Sequence, residues 1–173
     1  MNLFIVWYWF FPLVNGGATV VIPDEVQLDP SQIIRYFAEH NVTRWDCASP
    51  ALLRAILQSN AAPELKKLNK LKIVHSGGDL LELDTCRMFH RGMPDDVRLI
   101  NGFVATETAA DVTYCERTES LTEGLIKKGL TAAPIWQRPS RLIWNCSIDL
   151  GPVDPSLGYP EGEKSLIKVY FCR

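Results

Sequence analysis

The chain has 173 residues, of which 47% are hydrophobic and 22% charged, with 18 Lys and Arg set against 20 Asp and Glu. This balance excludes a disordered chain, and a net charge of −2 without a basic block gives no footprint for nucleic acid or an anionic membrane. The length suits one domain with a sizeable core and excludes a large multidomain enzyme.

Met1 to Val14 is a bulky apolar run, but Pro12, Asn15 and the Gly16-Gly17 pair interrupt it before the roughly 20 apolar residues a membrane span needs. No Lys or Arg precedes Arg35, as a secretory signal would require, so the run reads as a buried strand or helix end. The short β-branched stretch Ala18 to Ile22, bounded by glycines and by Pro23-Asp24, predicts a strand inside a sheet. Asp29-Pro30-Ser31-Gln32 then reads as a helix start, with Asp as cap and Pro at the first helical position; Ile33, Ile34, Phe37 and Ala38 give that helix one apolar face. Val42 to Cys47 predicts a strand, and Ser49-Pro50 opens a second helix with Leu52, Leu53, Ile56 and Leu57 on one side. Glu64 to Lys72, with four lysines, reads as a solvated helix face.

Leu71 to His75 predicts another strand, ending at Ser76-Gly77-Gly78-Asp79, and Leu80 to His90 a helix stopped near Gly92 and Pro94. Val97 to Ile100 is a further strand leading into Asn101. Such alternation predicts an α/β fold with a mostly parallel sheet flanked by helices, in which ligands gather at the carboxyl ends of the strands. Loops 76–79 and 101–107 are therefore the suspects. Beyond Tyr114 the pattern weakens into polar and proline-rich sequence, predicting an α/β part over 1–115 and an irregular, diverged β-rich tail over 116–173.

The five cysteines (Cys47, Cys86, Cys115, Cys146, Cys172) are odd in number and widely spaced, which predicts reduced thiols in a cytoplasmic protein. His40, His75 and His90 have no metal-ligand spacing and read as surface or turn residues. Ser76 and His75 are neighbours on a strand and point to opposite faces, so they make no nucleophile–base pair. Ser76-Gly77-Gly78 removes the side chains that would keep a nucleotide from the backbone, and it also suits a plain strand-to-helix turn. Thr106 offers a hydroxyl to a phosphate oxygen and Glu107 a hard carboxylate of the kind magnesium prefers, while the same pair would serve as a helix cap followed by a solvated acid.

Ser76-Gly-Gly-Asp79 followed by Leu99-Ile-Asn-Gly-Phe-Val-Ala-Thr-Glu-Thr108 resembles the adenylate-forming ligases: acyl-CoA synthetases, luciferases and peptide-synthetase adenylation domains. The resemblance extends to Val6-Trp7 through Pro12-Leu13, Gly17 to Ile22, Val42 to Leu53, and downstream to Ala133-Pro134-Ile135, Arg138-Pro139-Ser140 and Asn145. It implies part of the large N-terminal subdomain of that fold and a two-step reaction. A carboxylate or amino acid attacks the α-phosphate of ATP to give an acyl adenylate, and a thiol of CoA or a phosphopantetheine carrier then takes the acyl group.

The resemblance implies Thr106 and Glu107 as the catalytic pair, with Glu107 on Mg2+ and Thr106 on phosphate, and Ser76, Gly77, Gly78, Asp79, Asn101, Gly102 and Phe103 around ATP or AMP. Trp7, Cys47, Val74, Ser76, Gly102, Ala110 and Asp111 would line the acyl pocket. The Asp111 context looks closest to the β-alanine-activating, aminoadipate-semialdehyde-dehydrogenase-like branch, in which this acid would hold a distant amine; the alternative is a surface acid at a strand edge. Phe103 stands where the family usually has Tyr, and Val104 and Ala105 replace its Gly and Pro or Ser. The family's phosphate loop, ribose-binding Asp and catalytic Lys have no counterpart in this sequence, so the chain alone is expected to form no adenylate. The alternative is a noncatalytic remnant, acting as a nucleotide-binding or interaction module, or a piece that does not fold alone.

Overall fold

The computed structural model describes residues 10, 12–105 and 110–133, without the side chains of 47, 104, 105 and 110–113. In chain order the elements are α1 (Asp24–Gln27), α2 (Pro30–Glu39), β1 (Arg44–Ala48), α3 (Pro50–Gln58), a 3₁₀ helix (Ala62–Lys67), β2 (Ile73–Gly77), α4 (Leu83–Gly92), β3 (Arg98–Ala105), β4 (Ala110–Glu116) and α5 (Glu119–Lys127). The strands form one sheet in the order β1-β2-β3-β4, parallel from β1 to β3 and antiparallel between β3 and β4.

The two caps read from the sequence are in place. Asp29 Oδ1 accepts from the Ser31 N–H (2.8 Å) at the start of α2, and Ser49 Oγ accepts from the Leu52 N–H (3.2 Å) at the start of α3. Each satisfies a backbone donor that the helix itself leaves open. Across the sheet Trp45, Val74 and Leu99 stand in register and enter one apolar core with Ile33, Phe37, Leu53, Ile56 and Phe89 of the helices.

Three elements depart from expectation. Ala18 to Ile22 is not a strand: residues 17–23 carry no regular structure, and side chains tie them instead, with Gln27 Nε2 donating to Ile22 O (3.2 Å) and the Tyr36 hydroxyl to Val21 O (3.0 Å). Of that stretch Ile22 alone is buried. The second suspect loop begins as a strand, because β3 runs on to Ala105 once the antiparallel β4 extends its ladder. Finally, a helix, α5, stands early in the segment expected to be strand-rich. Thr118 Oγ1 caps it by accepting from the Leu121 N–H (3.3 Å), and Leu121, Leu125 and Ile126 supply the spacing that its many polar residues obscure. Residues 134–173, including the Pro-Ile and Arg-Pro-Ser stretches, lie outside the described residues.

Candidate functional site

Strand β2 delivers Ser76 and Gly77 to its carboxyl end, and Gly78 turns the chain with φ +86°, a left-handed conformation that glycine adopts without cost. Nothing lies within 4 Å of where a Cβ on Gly78 would stand, so the turn presents bare backbone. Asp79 is exposed and its Oδ1 accepts from the Leu80 N–H (2.7 Å). The exit of the turn is clamped. The Leu83 N–H donates to Thr131 O (2.9 Å), and the Ala133 N–H to Leu81 O (2.8 Å). These bonds occupy Leu81 to Leu83, which is why α4 begins at Leu83 rather than at the expected Leu80.

Parallel pairing sets Ser76 beside Asn101 and Gly77 beside Gly102. The glycine turn and the far half of β3 therefore share one edge of the sheet, with Asn101 and Gly102 buried and Phe103 half-buried. Thr106 and Glu107 lie outside the described residues, as does Trp7. Their flanks are described: Ala105 and Ala110 pair with each other at the loop end of the β3–β4 hairpin.

The expected acyl positions divide between two faces. Val74 and Ser76 are buried on the helix-covered side, whereas Gly102 belongs to the opposite face, with His75 and Tyr114. Cys47 lies in β1, and Ala110 and Asp111 in β4.

His75 is buried, with 1% of its surface accessible, where sequence reasoning expected a surface or turn residue. Ile73-Val74-His75-Ser76 is buried on both faces, and that unbroken burial is what draws the imidazole inside. His75 Nδ1 lies 3.5 Å from Asp46 Oδ1, and its ring centroid 5.2 Å from that of Tyr114. On its other side, a Cβ built on Gly102 would collide with His75 Nε2 and approach Cε1 and Cδ2 to 3.1 and 3.2 Å. Burial pushes the Asp46 carboxyl upward, but the Arg44 guanidinium (Nε to Oδ2, 2.6 Å) and His75 outweigh it and bring it down to about 2. Cys86 is pushed the other way, to about 11, by burial that the charge of Arg117 only partly offsets, which makes it an inert core thiol.

No group of three or more His, Cys, Asp or Glu among the described residues is placed to hold a metal ion, and no described helix is long and apolar enough to cross a membrane. A bare glycine turn beside a strand that leads to a Thr-Glu pair suits the flat base and phosphates of a nucleotide. The model of a family described as AMP-binding enzyme matches residues 2–140. The chain belongs to the AMP-binding enzyme family.

Among relatives of this member of the family, a dimodular nonribosomal peptide synthase of Bacillus subtilis (strain 168) is 29% identical over 119 residues, 68% of this chain and 5% of that protein. Enterobactin synthase component F of Escherichia coli O157:H7 is 30% identical over 143 residues, 80% of this chain and 11% of that protein. The chain thus spans a small part of the length of these relatives. The crystal structure of IdnL1 superposes with a TM-score of 0.56 at 23% identity, covering 68% of this chain and 23% of that one. The fold is accordingly part of the adenylate-forming ligase fold, a mixed sheet flanked by helices.

Proposed function

We propose that the chain supplies the adenine side, and part of the acyl side, of a site that joins a carboxylate to the α-phosphate of ATP. Pyrophosphate leaves, and a thiol of CoA or a phosphopantetheine carrier then accepts the acyl group. The observation that carries this reading is the pairing of Gly77 with Gly102, which brings the two suspect segments to one edge. Family membership and its peptide-synthase relatives support the reaction class.

Within the proposal, Gly77, Gly78 and Asp79 border adenine, and the open space over Gly78 fits a flat base. Asn101 and Phe103 flank the same region, Phe103 offering a ring face for stacking. Thr106 donates its hydroxyl to a phosphate oxygen. Glu107 is the proposed ligand of Mg2+, and its carboxylate suits that hard cation when phosphate oxygens complete the shell. Bound there, the metal would neutralise charge on the phosphates.

Titration with AMP tests the nucleotide site: weak binding to the purified chain, abolished by Glu107→Ala, is the expected result. Exchange of pyrophosphate into ATP with a panel of carboxylates is expected to be absent, and turnover by the chain alone would overturn that expectation. A second reading, a noncatalytic nucleotide-binding module, draws support from Val104 and Ala105. They pair with Asp111 and Ala110, just beyond a register shift between Phe103 and Val104, and so stay in the strand ladder where the resemblance calls for Gly and Pro or Ser. AMP binding without pyrophosphate exchange in a longer protein that carries the phosphate loop and lysine would favour it.

A further inference from the structure

We infer that a groove beside the glycine turn seats a segment of the same chain, residues 164–173. The inference stands apart from the nucleotide reading. After Gly78 the chain runs through residues 80–84, and it returns past them after α5, where Glu82 and Ala132 pair as an antiparallel bridge. An open groove of about 410 Å³ lies between these two passes and the end of α5. Leu80, Ile126 and Leu130 give it apolar walls; Leu80 is 58% exposed and Leu130 38%, so that lining is open to water.

Glu82 and Asp84 are the charged groups of the lining, and no base is among the described residues that form it. Asp84 is largely exposed and stands 3.7 Å from an Arg87 whose Nε and Nη2 are already bound to Glu123; Glu82 pairs with Arg54 and is half exposed. The groove therefore suits large apolar side chains accompanied by cations. Residues 164–173 carry Leu166, Ile167, Val169, Tyr170 and Phe171 with Lys164, Lys168 and Arg173, and no acid. They lie beyond residue 140, where the match to the family ends. A folded partner would need about 800 Å² a side, whereas a groove of this size takes a few side chains. Contacts that few suffice within one chain. About 30 residues separate the segment from Thr131 on the rim, enough to span up to about 100 Å and to hold it at an effective concentration near the millimolar range.

Carbodiimide coupling of the whole wild-type chain, mapped by mass spectrometry, tests the pairing directly. An amide joining Lys164 or Lys168 to Glu82 or Asp84 within one chain is expected. Coupling of these lysines to other carboxylates only, or only between two chains, overturns the inference without help from any variant. Limited trypsin digestion tests the apolar contact: Leu80→Asp and Leu130→Asp are expected to speed cleavage after Lys168 about tenfold, while Leu28→Asp, at an exposed leucine outside the groove, leaves the wild-type rate. Equal rates in wild type and in whichever groove variants retain a cooperative thermal transition overturn the inference. So does acceleration at Arg141 alone, which would assign the groove to the nearer stretch of chain.

Discussion

The two faces of the sheet are built from the same short strands yet solve different problems. On the helix-covered face Trp45, Val74 and Leu99 line up as an apolar row, and α2, α3 and α4 close over it. On the other, Arg44, Asp46, His75, Gly102 and Tyr114 put charge, an imidazole and a missing side chain into the same lateral space. The first face is stabilised by burial in proportion to area, whereas the second holds together only while each polar group keeps its partner. A sheet can thus draw its stability from one side and carry a row of charged and polar groups on the other.

The sharpest way to break this division is Trp45→Ala. It removes a ring packed edge-on against Phe37 at 5.2 Å between centroids and is expected to cost about 3–5 kcal/mol in denaturant unfolding. Gly102→Ala attacks the opposite face by overpacking. The His75 ring must be displaced, and a loss of about 2–3 kcal/mol in the same measurement is expected, although the substitution adds apolar surface.

Titration probes the polar row itself. Asp46 is held at about 2 in the folded chain against an ordinary 3.8, so the unfolded chain takes up its proton first as pH falls. Its contribution is therefore complete above about pH 4 and lost as pH falls toward about 2, a change of about 2 kcal/mol. Asp46→Asn should flatten that part of the stability curve; a curve unchanged by the substitution would show that the row is not electrostatically coupled. The smallest effect belongs to the scaffold of the first face: Ser49→Ala deletes the cap of α3 and is expected to cost about 1 kcal/mol by thermal unfolding.

The first face was also the more legible in the sequence. Helices α2 and α3 follow from Asp29-Pro30 and Ser49-Pro50, because a cap is a local device whose chemistry sits within a few residues. Strand β2 starts and ends two residues later than Leu71 to His75, since the parallel neighbours, and not the apolar run, set its limits. Residues 18–22 looked like a strand by composition, but propensity without a pairing partner leaves only an extended segment held by Gln27 and Tyr36. Helix α5 was obscured by polar residues around its Leu121, Leu125 and Ile126 face. Of the candidate site, the adjacency of the glycine turn and Asn101-Gly102 follows from reading successive parallel strands. The position of His75 does not, because it depends on Asp46 and Gly102, which lie 29 and 27 residues away along the chain.

Strand β2 runs only from Ile73 to Gly77, yet it serves both faces by strict alternation. A one-residue insertion or deletion inside it would send His75 into the apolar core and drive Val74 or Ser76 against Gly102. Descendants of this sequence can therefore diverge there by substitution, while changes of length must fall in the connecting segments on either side.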